Sequence, residues 1–251
     1  MEPLLLAVLG GAIVGLLLTL FGGGGSVLAT PWLIYVVGVA DTHVAIGTSA
    51  AAVAVNALGG LIGQARAGQV KWPCAIAFGL AGLAGSFTGA ALARQVDGKA
   101  LLFWFAIAMI AIAVSMMIPR KGEGDPAVRL NPPMVLKLVP AGLGAGFAAG
   151  FFGIGGGFLI VPGLMASTGM TLANAGASSL VSVALFGGAT SASYLAAGQF
   201  AWPVFGALVA GGAVGTLAGL PLSRRLAGRA ALGRTIFALM VIAVAVAILI
   251  G

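Results

Sequence analysis

The chain has 251 residues, of which 61% are hydrophobic and only 7% are charged. An ordinary soluble domain has about 25% charged residues, so the composition excludes a water-soluble fold and predicts an all-α polytopic membrane protein. The formal charge of +7 does not indicate nucleic-acid binding, because the basic residues lie in short loops between apolar stretches, where they orient membrane proteins. The single cysteine, Cys74, excludes an internal disulfide and a cysteine metal cluster.

Eight apolar stretches are long enough to cross a bilayer, which takes about 20 residues of helix. The first four are residues 4–21, 47–63, 72–93 and 100–118, and the last four are residues 135–152, 177–197, 202–222 and 232–250. A polar stretch rich in proline and glycine separates the two sets. We therefore divide the chain into an N-terminal transmembrane repeat (residues 1–118), a polar linker (119–134) and a C-terminal transmembrane repeat (135–251).

The two sets are copies of one unit. Residues 21–26 (FGGGGS), which lead to Pro31, match residues 152–157 (FGIGGG), which lead to Pro162. Further along, the sequence Gly-Gln-x-x-Trp-Pro occurs at residues 68–73 and again at residues 198–203. The offset stays almost constant, at 131 and then 130 residues, which is typical of an internal duplication.

In each copy the glycine block is followed by a short apolar run, residues 27–37 or 158–167, which either crosses the membrane or turns back. If it crosses, the twelve basic residues divide equally between the two sides. If it turns back as a hairpin, ten lie on one side and only Arg94 and Lys99 on the other. Cytoplasmic loops ordinarily carry the excess of Lys and Arg, so we expect the hairpin. The halves are then inverted repeats, each a glycine-broken helical hairpin plus about three transmembrane helices, with both termini outside the cytoplasm.

The glycine blocks are the predicted transport site. Consecutive glycines have poor helix propensity, so they should unwind the chain at bilayer depth. Unwound backbone is tolerated in a membrane where it lines a polar cavity, and the helices that begin after it direct free N–H groups and a positive dipole end toward an anion. The alternative is that these glycines only permit a tight hairpin. A nucleotide loop is excluded, because neither block is followed by Lys-Ser or Lys-Thr.

Hydroxyl residues match across the copies as Gly47-Thr48-Ser49 and Ala177-Ser178-Ser179. They either cap the start of the next helix or face the glycine blocks and bind oxygen atoms of an oxyanion. The predicted substrate-binding residues are Gly22, Gly23, Gly24, Gly25, Ser26, Thr48, Ser49, Gly153, Gly155, Gly156, Gly157, Ser178 and Ser179.

Three other polar side chains are candidates for a gate or a polar lining. Gln69 and Gln199 precede the two Trp-Pro pairs, and the alternative role for each is to belong to a loop beside an interfacial tryptophan. Asn56 lies within an apolar stretch, and its alternative role is an interhelical hydrogen bond.

All five acidic residues lie outside the apolar stretches. Cation transporters usually keep buried carboxylates, so we expect neither a transported cation nor a bound metal, and we expect no cofactor. Asp41 and His43 form the only titrating pair beside a glycine block, which makes them candidates for proton coupling. The alternative for His43 is a solvated loop histidine.

Two pairs of glycines, Gly85 with Gly89 and Gly215 with Gly219, place small residues on one helix face. Such pairs let another helix approach closely, either within the bundle or in a homodimer.

The two glycine blocks that lead to proline, the Gly-Thr-Ser and Ala-Ser-Ser sequences and the repeated Gly-Gln-x-x-Trp-Pro element resemble the sulfite exporter TauE/SafE family, also called the toluene sulfonate uptake permeases. The resemblance covers nearly the whole chain. It implies a bacterial membrane protein that moves sulfite, sulfonates or related sulfur-containing anions. Ser26, where the second copy has Gly157, departs from the doubled pattern and leaves open whether the two hairpins have equal roles.

These observations predict a secondary transporter rather than an enzyme. It would move a small sulfur-containing oxyanion, sulfite or an organosulfonate, across the bacterial inner membrane by alternating access, in the export direction and with proton coupling. A passive anion channel is the alternative. A membrane enzyme or a scaffold is a further alternative, but one histidine, one cysteine and no intramembrane carboxylate form no catalytic set. The expected partners are the anion, the lipid bilayer and, for the dimer alternative, a second copy of the chain.

Overall fold

The computed structural model describes residues 2–117, 124–153, 157–226 and 230–250. Within these ranges the chain forms ten α-helices and no β-sheet. The helices are α1 (Pro3–Phe21), α2 (Ala29–Trp32), α3 (Thr42–Arg66), α4 (Trp72–Ala93), α5 (Gly98–Met117), α6 (Pro132–Phe152), α7 (Gly157–Thr168), α8 (Leu172–Ala196), α9 (Trp202–Leu226) and α10 (Ala230–Ile250). A 3₁₀ helix, Gly22–Leu28, joins α1 to α2, and a π-helical turn, Leu33–Val37, follows α2.

Six helical segments of the described chain are long and apolar enough to cross a membrane. They are Pro3–Val37, Thr42–Arg66, Trp72–Ala93, Pro132–Phe152, Leu172–Ala196 and Trp202–Ser223. The molecule is therefore a multi-pass helical membrane protein, as its composition predicts.

Two helices begin about one and a half turns earlier than the apolar pattern indicates. The Asp41 carboxylate accepts hydrogen bonds from the backbone N–H groups of His43 and Val44, and so caps α3. The Thr171 hydroxyl accepts from the backbone N–H of Asn174 and caps α8. The Gly-Thr-Ser and Ala-Ser-Ser sequences consequently lie inside these helices, and their predicted capping role is wrong.

The chain reverses direction after α1. The indole Nε1 of Trp32 donates a hydrogen bond to the carbonyl oxygen of Leu6, 2.9 Å away, although a straight helix would place these residues about 39 Å apart. A similar return follows α6, where the Ser167 hydroxyl donates to the Lys137 carbonyl at 3.5 Å. The 35-residue segment Pro3–Val37 is thus folded in two.

The first glycine block is helical, not unwound as predicted. Gly22 has φ of 64°, a conformation that favours glycine. It ends α1 at a point where the chain lies against the backbone of Gly176. Residues Gly22–Leu28 then form a 3₁₀ helix rather than unwound chain. This geometry pairs backbone groups internally, so the block needs fewer outside partners than an unwound segment would.

Helices α1 and α9 pack along a seam of small residues and run in the same direction. Gly215 lies against the backbone of Ala12, and Gly219 lies against that of Leu16, so both residue numbers rise together along the seam. This second glycine pair therefore serves packing within the bundle.

Helices α4 and α6 form the equivalent seam. Gly85 lies against the backbone of Leu143 and Gly89 against that of Phe147, again in the same direction. By the offset of the repeat, α6 corresponds to α1 and α9 corresponds to α4. The first helix of the first half, α1, therefore packs on α9 of the second half. The first helix of the second half, α6, packs on α4 of the first half.

Helices α3 and α8 form the centre of the bundle. Gly47 contacts Tyr194 and Gly187 contacts Ala50, so the two helices run in opposite directions. In each of them 67% of the apolar segment is buried, against 33 to 44% for the other spans. Any site in the interior is consequently built against α3 and α8.

Candidate functional site

The two glycine blocks meet in the centre of the bundle. The backbones of Gly23 and Gly157 are in direct contact, so neither position has room for a Cβ atom. All residues from Gly22 to Ser26 are buried. Of the predicted second block, Gly153 and Gly157 are described, whereas Gly155 and Gly156 lie outside the described residues.

Ser179 of α8 holds the first block in place. Its hydroxyl accepts a hydrogen bond from the backbone N–H of Gly23 at 2.9 Å and donates one to the carbonyl of Gly176 at 2.7 Å. The side chain is fully buried. Of the predicted hydroxyls, Ser179 therefore has a direct contact with a glycine block.

Ser49 of α3 occupies the position that corresponds to Ser179. It donates to the carbonyl of Ile46 at 3.1 Å, and its hydroxyl lies 2.7 Å from that of Thr30. Thr30 is buried and was missed by the sequence analysis. The one available signal was a polar residue within an apolar run just before Pro31, but the second copy has Val161 there.

Ser26 adds a third hydroxyl on the side of the first glycine block. It donates to the carbonyl of Gly23 at 2.8 Å and is fully buried. Because Gly157 and Val161 stand where the first copy has Ser26 and Thr30, the hydroxyl groups around the meeting point come mainly from the first half.

Thr48 and Ser178 are directed away from the glycine blocks. The Thr48 hydroxyl accepts a hydrogen bond from the backbone N–H of Ala201, and the Ser178 hydroxyl accepts one from that of Lys71, both at 2.9 Å. Each bond ties one half of the chain to the loop that precedes a Trp-Pro pair in the other half. The structure thus brings Ser49 and Ser179 to the centre and uses Thr48 and Ser178 as ties.

The three candidate gate residues have different surroundings. Asn56 donates weakly, at 3.4 Å, to the carbonyl of Leu208, which is an interhelical contact. Gln69 accepts from the side-chain amide of Asn174 through its backbone carbonyl at 2.8 Å and its side-chain oxygen at 3.5 Å. The side-chain oxygen of Gln199 is buried and has no hydrogen-bond partner in the described part of the chain.

Asp41 and His43 do not form a side-chain pair like the one predicted from their sequence. The Asp41 carboxylate is engaged by backbone N–H groups at the start of α3. The His43 imidazole instead stacks on the ring of Tyr194, with ring centroids 5.9 Å apart and planes inclined by 26°. Tyr194 was not identified from the sequence.

The centre of the bundle offers hydroxyl and backbone amide groups rather than ionised side chains. Among the residues that the structure describes, no group of three His, Cys, Asp or Glu side chains could hold a metal ion. In this structure the hydroxyls of Ser26, Ser49 and Ser179 donate to backbone carbonyls. The oxygen atoms of a small ligand can be bound here when they replace those carbonyls as acceptors.

Comparison with known proteins agrees with this architecture. The chain is 41% identical over 250 residues to a probable membrane transporter protein of Xylella fastidiosa, covering 98% of this chain and 94% of the relative. It is 28% identical over 252 residues to the probable membrane transporter protein YunE of Bacillus subtilis, covering 90% of each. No solved structure matches the chain. The family model described as sulfite exporter TauE/SafE matches residues 7–248, and the chain therefore belongs to the TauE/SafE family of membrane transporters.

Proposed function

We propose that this transporter is a secondary carrier that moves a small sulfur-containing oxyanion, sulfite or an organosulfonate, out across the bacterial inner membrane. The observation that carries the proposal is the contact between the two glycine blocks, at Gly23 and Gly157, in a buried centre supplied with hydroxyl groups. The description of the matching family supports sulfite as the substrate.

In this proposal the anion binds where the two blocks meet. When the anion enters, the hydroxyls of Ser26, Thr30, Ser49 and Ser179 exchange their present hydrogen-bond acceptors for its oxygen atoms. Backbone N–H groups of the blocks add further donors. The blocks consist of Gly22 to Gly25 together with Gly153, Gly155, Gly156 and Gly157. Because these donors carry no full charge, they bind an anion without the desolvation cost of a buried cation, and release stays fast enough for transport.

The packing supports an arrangement of inverted repeats. Helix α1 runs with α9 and α4 runs with α6, while the central helices α3 and α8, which correspond in the repeat, run in opposite directions. A two-fold axis in the membrane plane relates such elements. Alternating access then follows from rocking of the α1–α9 and α4–α6 pairs about the central helices. The excess of Lys and Arg on one side favours termini in the periplasm.

The test is sulfite flux in proteoliposomes, measured with ³⁵S-sulfite over a range of concentrations. Replacing Ser179 by Ala removes a donor and the acceptor of the Gly23 N–H, so KM should rise about tenfold or more. Ser179→Thr, which keeps the hydroxyl, should restore most of the flux. Ser223→Ala is the control, because the Ser223 hydroxyl bonds within its own helix, to the carbonyl of Leu220 in α9.

Two outcomes would contradict the proposal. Unchanged sulfite flux in a stably folded Ser179→Ala protein would refute the site. Sulfite flux that ignores an imposed proton gradient and does not saturate with concentration would indicate a passive anion channel instead of a carrier.

A further inference from the structure

Three polar atoms are buried at the end of the bundle where α3 begins and α8 ends. They are Nδ1 of His43, the hydroxyl oxygen of Tyr194 and the side-chain oxygen of Gln199, and none has a hydrogen-bond partner among the described residues. The three residues are neighbours. His43 stacks on Tyr194, and Gly47, one turn after His43, contacts both the Tyr194 side chain and the Gln199 carbonyl.

Such unpaired groups are costly. A buried donor or acceptor that has lost its partner costs about 1–3 kcal/mol, and nearly all such groups in native proteins are satisfied by protein, water or ligand. Tyr194 is fully buried, so bulk solvent does not reach it. Three unpaired atoms on neighbouring residues are therefore evidence for a small polar ligand.

The opposite end of the bundle provides an internal comparison. There the repeat places Gln64 at the position of Tyr194, and its side chain donates to the carbonyl of Thr19 at 3.1 Å. Gln69 stands at the position of Gln199, and its side-chain oxygen accepts a hydrogen bond from the side-chain amide of Asn174 at 3.5 Å. At that end the side chains of Gln64 and Gln69 bond within the protein, whereas those of Tyr194 and Gln199 at the His43 end do not.

The cluster also lies next to the proposed transport path. Gly153, which begins the second glycine block, lies against the side chain of Ile46. Ile46 precedes Gly47, the residue that contacts Tyr194 and Gln199. An anion that leaves the second block toward this end of the bundle therefore passes the cluster within about one turn of α3.

The charges at this end favour an anion. The carboxylates of Asp41 and Asp97 accept hydrogen bonds from backbone N–H groups at the starts of α3 and α5, so they are turned to the backbone. Arg94 follows Ala93, which packs in one apolar cluster with Ile46 and Tyr194, so a positive charge lies at this end of the bundle. Lys99, near the start of α5, adds a second positive charge at this end.

We propose that His43, Tyr194 and Gln199 form a second binding site, at this mouth of the path, for a monoanionic oxyanion that keeps one hydroxyl group. The Tyr194 hydroxyl and the His43 N–H donate to oxygen atoms of the anion. The Gln199 oxygen, which can only accept, takes the hydrogen bond of the anion's own hydroxyl. The inference rests on the proposed function and sharpens it, because a site of this kind selects hydrogensulfite over dianions and makes the substrate carry its own proton.

The test uses the fact that His43 is the only histidine. The full chain, labelled with ¹⁵N-histidine and placed in lipid nanodiscs, gives a single set of imidazole signals. Sulfite near neutral pH, where hydrogensulfite is present, should shift these signals in a saturable way. Sulfate, a dianion, and methanesulfonate, a monoanion without a hydroxyl, should shift them only at much higher concentration.

Tyr194→Phe keeps the stacked ring and removes the hydroxyl, so it should weaken the apparent affinity for sulfite about tenfold. Gln199→Glu, which places a negative charge against the anion, should weaken it as well and provides a second variant if the first is unstable. Tyr35→Phe is the control, because Tyr35 is the other tyrosine and is exposed, and it should leave the titration unchanged.

No shift with sulfite, or an unchanged titration in both Tyr194→Phe and Gln199→Glu, would overturn the second site and indicate that only water satisfies these atoms. Sulfite flux that persists without any His43 shift would refute the second site and leave the proposed function intact. A saturable shift in a protein that shows no sulfite flux would support the second site and refute the proposed function.

Discussion

Single hydroxyl groups hold the interior of this bundle together at points that are far apart in the chain. Ser179 binds the backbone of the first glycine block, and Thr48 and Ser178 bind the loops that precede the Trp-Pro pairs of the opposite half. In a bilayer no water replaces a lost partner of a buried N–H group. These small residues therefore fix the relative position of the two halves.

Removal of the ties should lower stability. Thr48→Val and Ser178→Ala each leave a loop N–H group without its acceptor, and each should reduce the free energy of unfolding by about 1 kcal/mol or more. Thermal unfolding in detergent measures the loss. The control is Thr88→Val, since the exposed Thr88 hydroxyl bonds only to its own helix. Equal stability of Thr48→Val, Ser178→Ala and the control would show that these two hydrogen bonds do not contribute to the free energy of unfolding.

The sequence predicted those site residues that occur at matching positions in both halves of the chain. Ser49 and Ser179 follow from matching sequences in the two halves. The structure bonds Ser179 to the first glycine block and Ser49 to Thr30, in the helix that follows this block. Thr30 and Tyr194 could not be found in the same way, because the second copy has Val161 and the first has Gln64 at those positions. Their roles depend on contacts between distant helices, which no local pattern records.

Small residues determine how the helices pair. The seams α1–α9 and α4–α6 bring backbones into direct contact because glycine has no side chain. The helix ends were predicted less well than the helices themselves. The starts of α3 and α8 lie among polar caps, Asp41 and Thr171, which an apolar pattern does not detect. The first glycine block forms a 3₁₀ helix whose first residue, Gly22, lies against Gly176, a tertiary contact that an apolar pattern does not record.

Two glycines of α6 should respond oppositely to the same substitution. Gly146 lies directly against the backbone of Gly82, whereas Gly144 has open space around it. Gly146→Ala should destabilise the protein by about 1–3 kcal/mol through overpacking, while Gly144→Ala should be neutral or stabilise it by up to about 1 kcal/mol. Unfolding by heat or by denaturing detergent measures both. Similar effects of the two substitutions would argue against the α4–α6 seam.

The two halves of the chain are packed into one another rather than side by side. The first helix of each half packs against a helix of the other half, α1 against α9 and α6 against α4. The sequence predicted eight apolar stretches long enough to cross a bilayer, and six of them are membrane-spanning segments among the described residues. It could not predict this exchange, since the matching glycines on α1 and α9 do not reveal which helices they join.

The folding back of the segment Pro3–Val37 predicts which positions share a side of the membrane. In a Cys74→Ala background, cysteines introduced at Glu2 and at Ala40, both exposed, should react with a membrane-impermeant thiol reagent from the same side of sealed vesicles. A cysteine at Ala127, also exposed, should react from the other side. Labelling of positions 2 and 40 from opposite sides would mean that the segment crosses the bilayer once.

The exchange of first helices has a consequence for the history of the chain. A single four-segment unit leaves the small-residue face of its first helix without a partner, so an ancestor that had only one copy would have needed a second molecule of itself to fold. Fusion of the two copies made that partnership permanent and removed the need for them to stay identical. Ser26 and Thr30 carry hydroxyl groups where the second copy has Gly157 and Val161, a difference of the kind that two joined copies are free to keep.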